Sequence, residues 1–225
     1  MKKILVLAVM SLFVLFAGNA FAVEMILNGG FETGSLDPGW SSDAFVKVTG
    51  KWWGVSPKAG SYQAVMSPVG ISDSNLLQGF SVDPTLYTGA TISFDYNLKA
   101  YDWSYWKDYG TDYLLVTYDS TELLKIDLND PYGTGWWPDG PTELGWQTYT
   151  SSFIPVSALV GPLTLKFHLE NFPPGGGDWG QSLVGYIDRV SIDATPVPEP
   201  ASLLLLGSGL LGLAAFGRAK RKRSL

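Results

Sequence analysis

Leu163-Thr164-Leu165-Lys166-Phe167-His168-Leu169-Glu170 alternates apolar and polar residues without a break. Successive side chains of a β-strand point to opposite faces, so a period of two marks a strand with one buried face. Ile92-Ser93-Phe94-Asp95-Tyr96 repeats the pattern. Further strand candidates are Phe45–Val48, Tyr62–Met66, Leu76–Val82, Tyr113–Tyr118, Leu123–Leu128, Trp146–Phe153 and Tyr186–Ile192, with Gly, Pro, Asn and Asp in the gaps. No amphipathic helical pattern of useful length occurs, and no internal repeat. Many short strands with turn signals predict an all-β sandwich or jelly roll.

The two ends of the 225-residue chain read as targeting segments, which are set aside before fold reasoning. Residues 1–22 carry Lys2 and Lys3, an apolar run from Ile4 to Phe16, and Asn19-Ala20-Phe21-Ala22, a small-x-small pattern suited to signal peptidase. At the other end, Val197-Pro198-Glu199-Pro200 precedes the uncharged run Ala201–Phe216 and the bases Arg218, Lys220, Arg221, Lys222 and Arg223. As a helix the uncharged run is ~24 Å long, slightly short of a bilayer core of ~30 Å. Flanking residues and local thinning cover the difference, which predicts a span over 201–217. The basic cluster stays cytoplasmic by the positive-inside rule, so the expected domain between the ends, 23–195, lies outside the inner membrane.

The tail, 196–225, resembles the PEP-CTERM sorting signal of Gram-negative bacteria. The likeness rests on Pro198, Glu199 and Pro200, the Leu/Gly run Ser202–Leu213 and Arg218–Arg223. It implies exosortase, a membrane protease, as a partner, transient anchoring in the inner membrane, and delivery to the cell surface or an extracellular matrix.

Composition narrows what the domain does. Without the targeting bases and Glu199, the 15 Lys+Arg and 21 Asp+Glu become 8 and 20, a net charge of −12. Such a surface repels nucleic acid and anionic headgroups, and favours cations and neutral sugars as partners. There is no cysteine, which excludes thiol nucleophiles, cysteine zinc sites and iron–sulfur clusters.

The domain's ends carry a second resemblance. Ile26-Leu27-Asn28-Gly29-Gly30-Phe31-Glu32-Thr33-Gly34 with Gly39-Trp40, Gly60-Ser61-Tyr62-Gln63-Ala64, and Gly185-Tyr186-Ile187-Asp188-Arg189-Val190-Ser191-Ile192 are similar to carbohydrate-binding modules with a galactose-binding-like jelly roll. The resemblance implies a structural Ca2+ held by Glu32 and Asp188. Period two places Asp188 with Val190 and Ile192 on the core face, where a carboxylate needs a partner or a metal.

Candidate ligand-binding residues are aromatics in Gly/Pro-rich loops: Trp103, Tyr105 and Trp106; Trp136 and Trp137; Trp179 within Asn171–Gln181; and the pair Trp52-Trp53. Flat aromatic faces suit the apolar faces of sugar rings, and neighbouring Asp and Asn suit hydroxyls; packing the loops down is the other use of the same residues. His168, the one histidine, reads as a solvated surface residue. No G-x-S-x-G elbow accompanies it, and a His-based zinc hydrolase is excluded for lack of ligands. The expected function is that of a non-catalytic surface or exopolysaccharide-matrix protein with polysaccharide as ligand. The alternatives are a purely structural or adhesive component and a small exported glycosidase or lyase.

Overall fold

Leu163–Glu170 is a strand, with its four apolar residues buried and its four polar ones half-buried, as the alternation requires. The computed structural model describes residues 23–43, 45–67, 73–100, 113–127, 142–170, 183–198 and 207–209. Among them run β1 (Val23–Glu24), β2 (Trp40–Ser42), β3 (Val46–Thr49), β4 (Gln63–Met66), β5 (Ser74–Phe80), β6 (Tyr87–Ala100), β7 (Tyr113–Tyr118), β8 (Thr121–Asp127), β9 (Thr142–Glu143), β10 (Gln147–Thr150), β11 (Ile154–Pro155), β12 (Leu163–Glu170) and β13 (Leu183–Pro196). A single 3-10 turn, Val156–Ala158, joins β11 to the segment before β12.

Two antiparallel sheets form a jelly-roll sandwich. One has the order β10-β6-β13-β4-β3, with β1 on β13 and β9 and β11 on β6; the other has the order β2-β5-β12-β7-β8. In the second sheet Phe167 lies opposite Leu76 on one side and Val116 on the other. Its ring meets Phe94 of the first sheet edge to face at 5.0 Å, and Trp40 at 6.1 Å. Phe31 of the opening motif is fully buried against Trp40, with ring centroids 5.5 Å apart. The motif's aromatic is therefore a core residue, which explains why it follows a run of small residues. Gln78 closes this end of the core. It is 2% exposed, accepts from the Leu27 amide at 2.7 Å and donates to the Leu27 carbonyl at 2.9 Å, as a strand partner would.

β13 departs from the period-two reading. Leu183 and Ile187 face the main core, as do Val190, Ile192 and Ala194, while Val184 and Tyr186 belong to a second apolar cluster with Val55 and Val65. Between Ile187 and Val190 stand two residues rather than one, and Arg189 takes a left-handed φ of 49°. An inserted residue in that conformation is a bulge, and it reverses the parity of the strand. Asp188 accordingly does not share the face of Val190 and Ile192. It is buried on the opposite face of the sheet, on the side that residues 50–62 cover with Trp52 and Val55.

The chain divides into two compact units, Ala22–Thr195 and the pair Met1–Phe21 with Pro196–Leu225. In the second unit residues 207–209 are helical. Among the described residues no helix is long and apolar enough to cross a membrane. The expected signal peptide, and all but 207–209 of the expected span, lie outside the described residues.

Candidate functional site

The strand ends that bound the aromatic-rich segments are neighbours in the sheets. Residues 101–112 lead from Ala100 of β6 into Tyr113 of β7, 128–141 from Asp127 of β8 to Thr142 of β9, and 171–182 from Glu170 of β12 to Leu183 of β13. Glu170 pairs with Tyr113, and Tyr113 with Asp127, so the three loop stems on the five-stranded sheet are consecutive residues of one cross-strand row. On the other sheet Ala100, where the first segment begins, pairs with Thr142, where the second ends. Trp103, Tyr105, Trp106, Trp136, Trp137 and Trp179 lie outside the described residues, but their loops spring from this one rim.

Below the rim, the outer face of the five-stranded sheet carries a set of polar groups. His168 pairs with Asn75 of β5 and with Leu115 of β7. Its side chain is only 13% exposed, so it is not the solvated residue its strand's polar face suggested. Tyr113 tilts against its ring at 5.7 Å on one side, and Asn75 holds it on the other. Glu170 and Asp73 flank it, at 3.6 and 3.9 Å from Nε2. The Tyr113 phenol donates to Glu170, and this bond, with burial and the nearby carboxylate charges, pushes its pKa up to about 12. Lys125 of β8 lies 4.7 Å over the Tyr113 ring. Sequence reading had missed Asp73, Asn75 and Lys125, because only the register of three strands brings them to His168.

The nearest ligand atoms of Asp73, His168 and Glu170 all lie within 4.8 Å of one another. The paired carboxyls of a glycosidase flank a sugar at ~5–5.5 Å or more. Here two carboxylates flank an imidazole instead.

Trp52 and Trp53 stand apart from this face, on the outer side of the larger sheet. Their rings stack at 5.9 Å and 15°. Trp52 is half-buried on the second apolar cluster, and the Lys47 ammonium caps its ring. Trp53 is 39% exposed. Its carbonyl accepts from Lys99, which pairs with Glu143 at the root of two rim loops. Trp52 thus packs the cover of the sheet, and Trp53 stacks on Trp52.

Glu32 and Asp188 converge on one turn. Both Glu32 carboxylate oxygens accept from the Ser61 amide at 3.0 Å, and Oε1 also from Tyr62 at 3.2 Å. Asp188 accepts from Ala59 at 3.0 Å and from its neighbour Arg189 at 2.8 Å. Burial pushes the Asp188 carboxyl above the usual carboxylate range, and the amides of Ala59, Arg189 and Lys58 pull it back. Among the described residues no Lys or Arg pairs with either carboxylate; Arg189 turns to Asp95, at 3.4 Å. Asp188 is fully buried and accepts from turn amides rather than from a cation, and carboxylate oxygens are ligands that an oxygen-seeking divalent ion takes.

Residues 196–222 match the PEP-CTERM protein-sorting motif. No curated protein matches the chain in sequence. Among solved structures it is similar to a family 61 carbohydrate-binding module in complex with β-1,4-galactotriose (19% identity, 77% of this chain and 99% of that one, TM-score 0.48). It is also similar to the CBM22-2 xylan-binding domain of Paenibacillus barcinonensis Xyn10C (17%, 74% and 98%, 0.38). A third is the K2 cleaved adhesin domain of Lys-gingipain (15%, 79% and 99%, 0.44).

Proposed function

We propose that this chain is an exported, non-catalytic protein of the cell surface or exopolysaccharide matrix, and that it binds polysaccharide at the rim of its five-stranded sheet. Signal peptidase removes 1–22, and exosortase acts on the tail around Pro198, Glu199 and Pro200 while the inner membrane holds it. The sorting motif supports the itinerary. One observation carries the binding half: Glu170, Tyr113 and Asp127, the stems of three loops that together hold six candidate aromatics, are adjacent in one cross-strand row. Aromatic faces converging from several loops, over a polar floor, are what a sugar polymer needs: apolar ring faces stack, and hydroxyls find donors and acceptors.

Glu32 and Asp188 are proposed to hold a structural Ca2+, which would offset their buried charge and tie the opening motif to the closing strand. Glycan-array and polysaccharide-pulldown assays on residues 23–197 test the binding. Retention on at least one neutral or weakly charged polysaccharide is expected. Failure to bind any glycan, with and without calcium, overturns it.

A further inference from the structure

We propose that Asp73, His168 and Glu170 hold a divalent transition-metal cation of the zinc class on the outer face of the five-stranded sheet. The three residues come from the lead-in to β5 and from β12, and each brings one ligand atom within 4.8 Å of the others.

The ring's tautomer follows from its partners. The Asn75 amide nitrogen donates to Asp43 Oδ2 at 3.1 Å, and a carboxylate only accepts. Asn75 Oδ1 therefore faces His168 Nδ1, at 2.8 Å. An amide oxygen also only accepts, so Nδ1 carries a proton, and Nε2 turns the rest of its capacity to Glu170 and Asp73. A second hydrogen bond, from the Asn75 backbone amide to the same Asp43 oxygen at 2.7 Å, fixes this relay.

At Nε2 a nitrogen and two carboxylates face one another; the Tyr113 phenol donates to Glu170 but brings no charge, so the cluster favours a cation. A proton on Nε2 serves an acceptor through a bond of about 2.7–3.2 Å. The observed separations are 3.6 and 3.9 Å, both too long for that bond. A cation with bonds of about 2.0–2.1 Å spaces tetrahedral ligands roughly 3.3–3.4 Å apart, so small side-chain rotations complete the site. Protonated Nδ1 bonded to an outer acceptor, with Nε2 toward the metal, is also how ligating imidazoles are oriented. Imidazole nitrogen selects against calcium and magnesium, which take oxygen. The single histidine excluded a His-based zinc hydrolase; the register adds the two carboxylates that a binding site, as distinct from a hydrolase, needs.

The test uses the full chain in detergent, without a histidine tag. Calorimetric titration with zinc chloride is expected to show one site per chain, and calcium chloride is expected not to compete for it. His168→Ala should abolish the zinc site, and Asn75→Ala should weaken it by about 10–100-fold. Selective labelling of the single histidine gives a readout on the unaltered protein: zinc should move the Nε2 resonance and leave the Nδ1 proton in place. Absence of zinc binding, zinc binding unchanged in His168→Ala, or an Nε2 resonance indifferent to zinc would overturn the proposal.

Discussion

Tyr113 joins the rim to the polar floor, with its hydroxyl on Glu170 and its backbone at the foot of residues 101–112. Its pKa stands at about 12 in the fold against 10.0 for a free phenol. A raised pKa means that the folded chain keeps a proton that the unfolded chain loses first. The stability this contributes is complete below pH 10 and is lost as pH rises from 10 towards 12. Denaturant melts between pH 9 and 11.5 should therefore show a steeper alkaline loss of stability for the wild type than for Tyr113→Phe. Parallel slopes would show that the phenol is not held this way. Nothing in the sequence around Tyr113 announces this role: the strand was legible, but its neighbour across the ladder was not. Phe31 and Trp40 likewise read as parts of a motif, and only the fold shows that they are core.

Among the elements, β12 was legible because both its neighbours leave its pleat undisturbed, so composition and burial share one period. β13 was not, because one left-handed residue reversed its faces and carried Asp188 to the other side of the sheet. Bulges leave no mark in hydrophobic pattern beyond a skipped beat, and Arg189 is an unusual residue at such a φ. The bulge is held by the opening motif: the Val190 amide donates to the Gly29 carbonyl at 2.9 Å. A Cβ on Gly29 would lie 1.9 Å from the Val190 carbonyl oxygen, against backbone that cannot rotate away. Gly29→Ala should thus cost about 1–3 kcal/mol in denaturant unfolding, the range for overpacking a closed contact. A variant as stable as the wild type would mean that the first and last segments are not locked at this point. The site followed the same rule: the aromatic-rich segments were visible from composition, and the adjacency of their stems depended on register across three strands.

For the whole molecule, charge and sorting make the demands. A domain of net charge −12 repels itself, and no disulfide restrains its unfolded chain. Calcium bound only by the folded state stabilises by mass action, by ~2.7 kcal/mol at 100 times its dissociation constant. A melting shift of roughly 5–10 °C between millimolar calcium and chelator is expected, largely absent in Asp188→Asn. Coincident melting curves would return Glu32 and Asp188 to the single task of gripping the 58–62 turn. The tail adds a cellular prediction. A Glu199→Ala, Pro200→Ala double variant should remain full-length in the inner membrane, and normal release would show a plain anchor. The central claim is that three loops act as one glycan surface. It is tested most directly by titrating a retained polysaccharide into Trp103→Ala, Trp136→Ala and Trp179→Ala, one variant per loop. Each should lose about tenfold or more in affinity, equivalent to ~1.4 kcal/mol, with the melting temperature kept. Affinity unchanged in all three, or lost in one loop only, would contradict it.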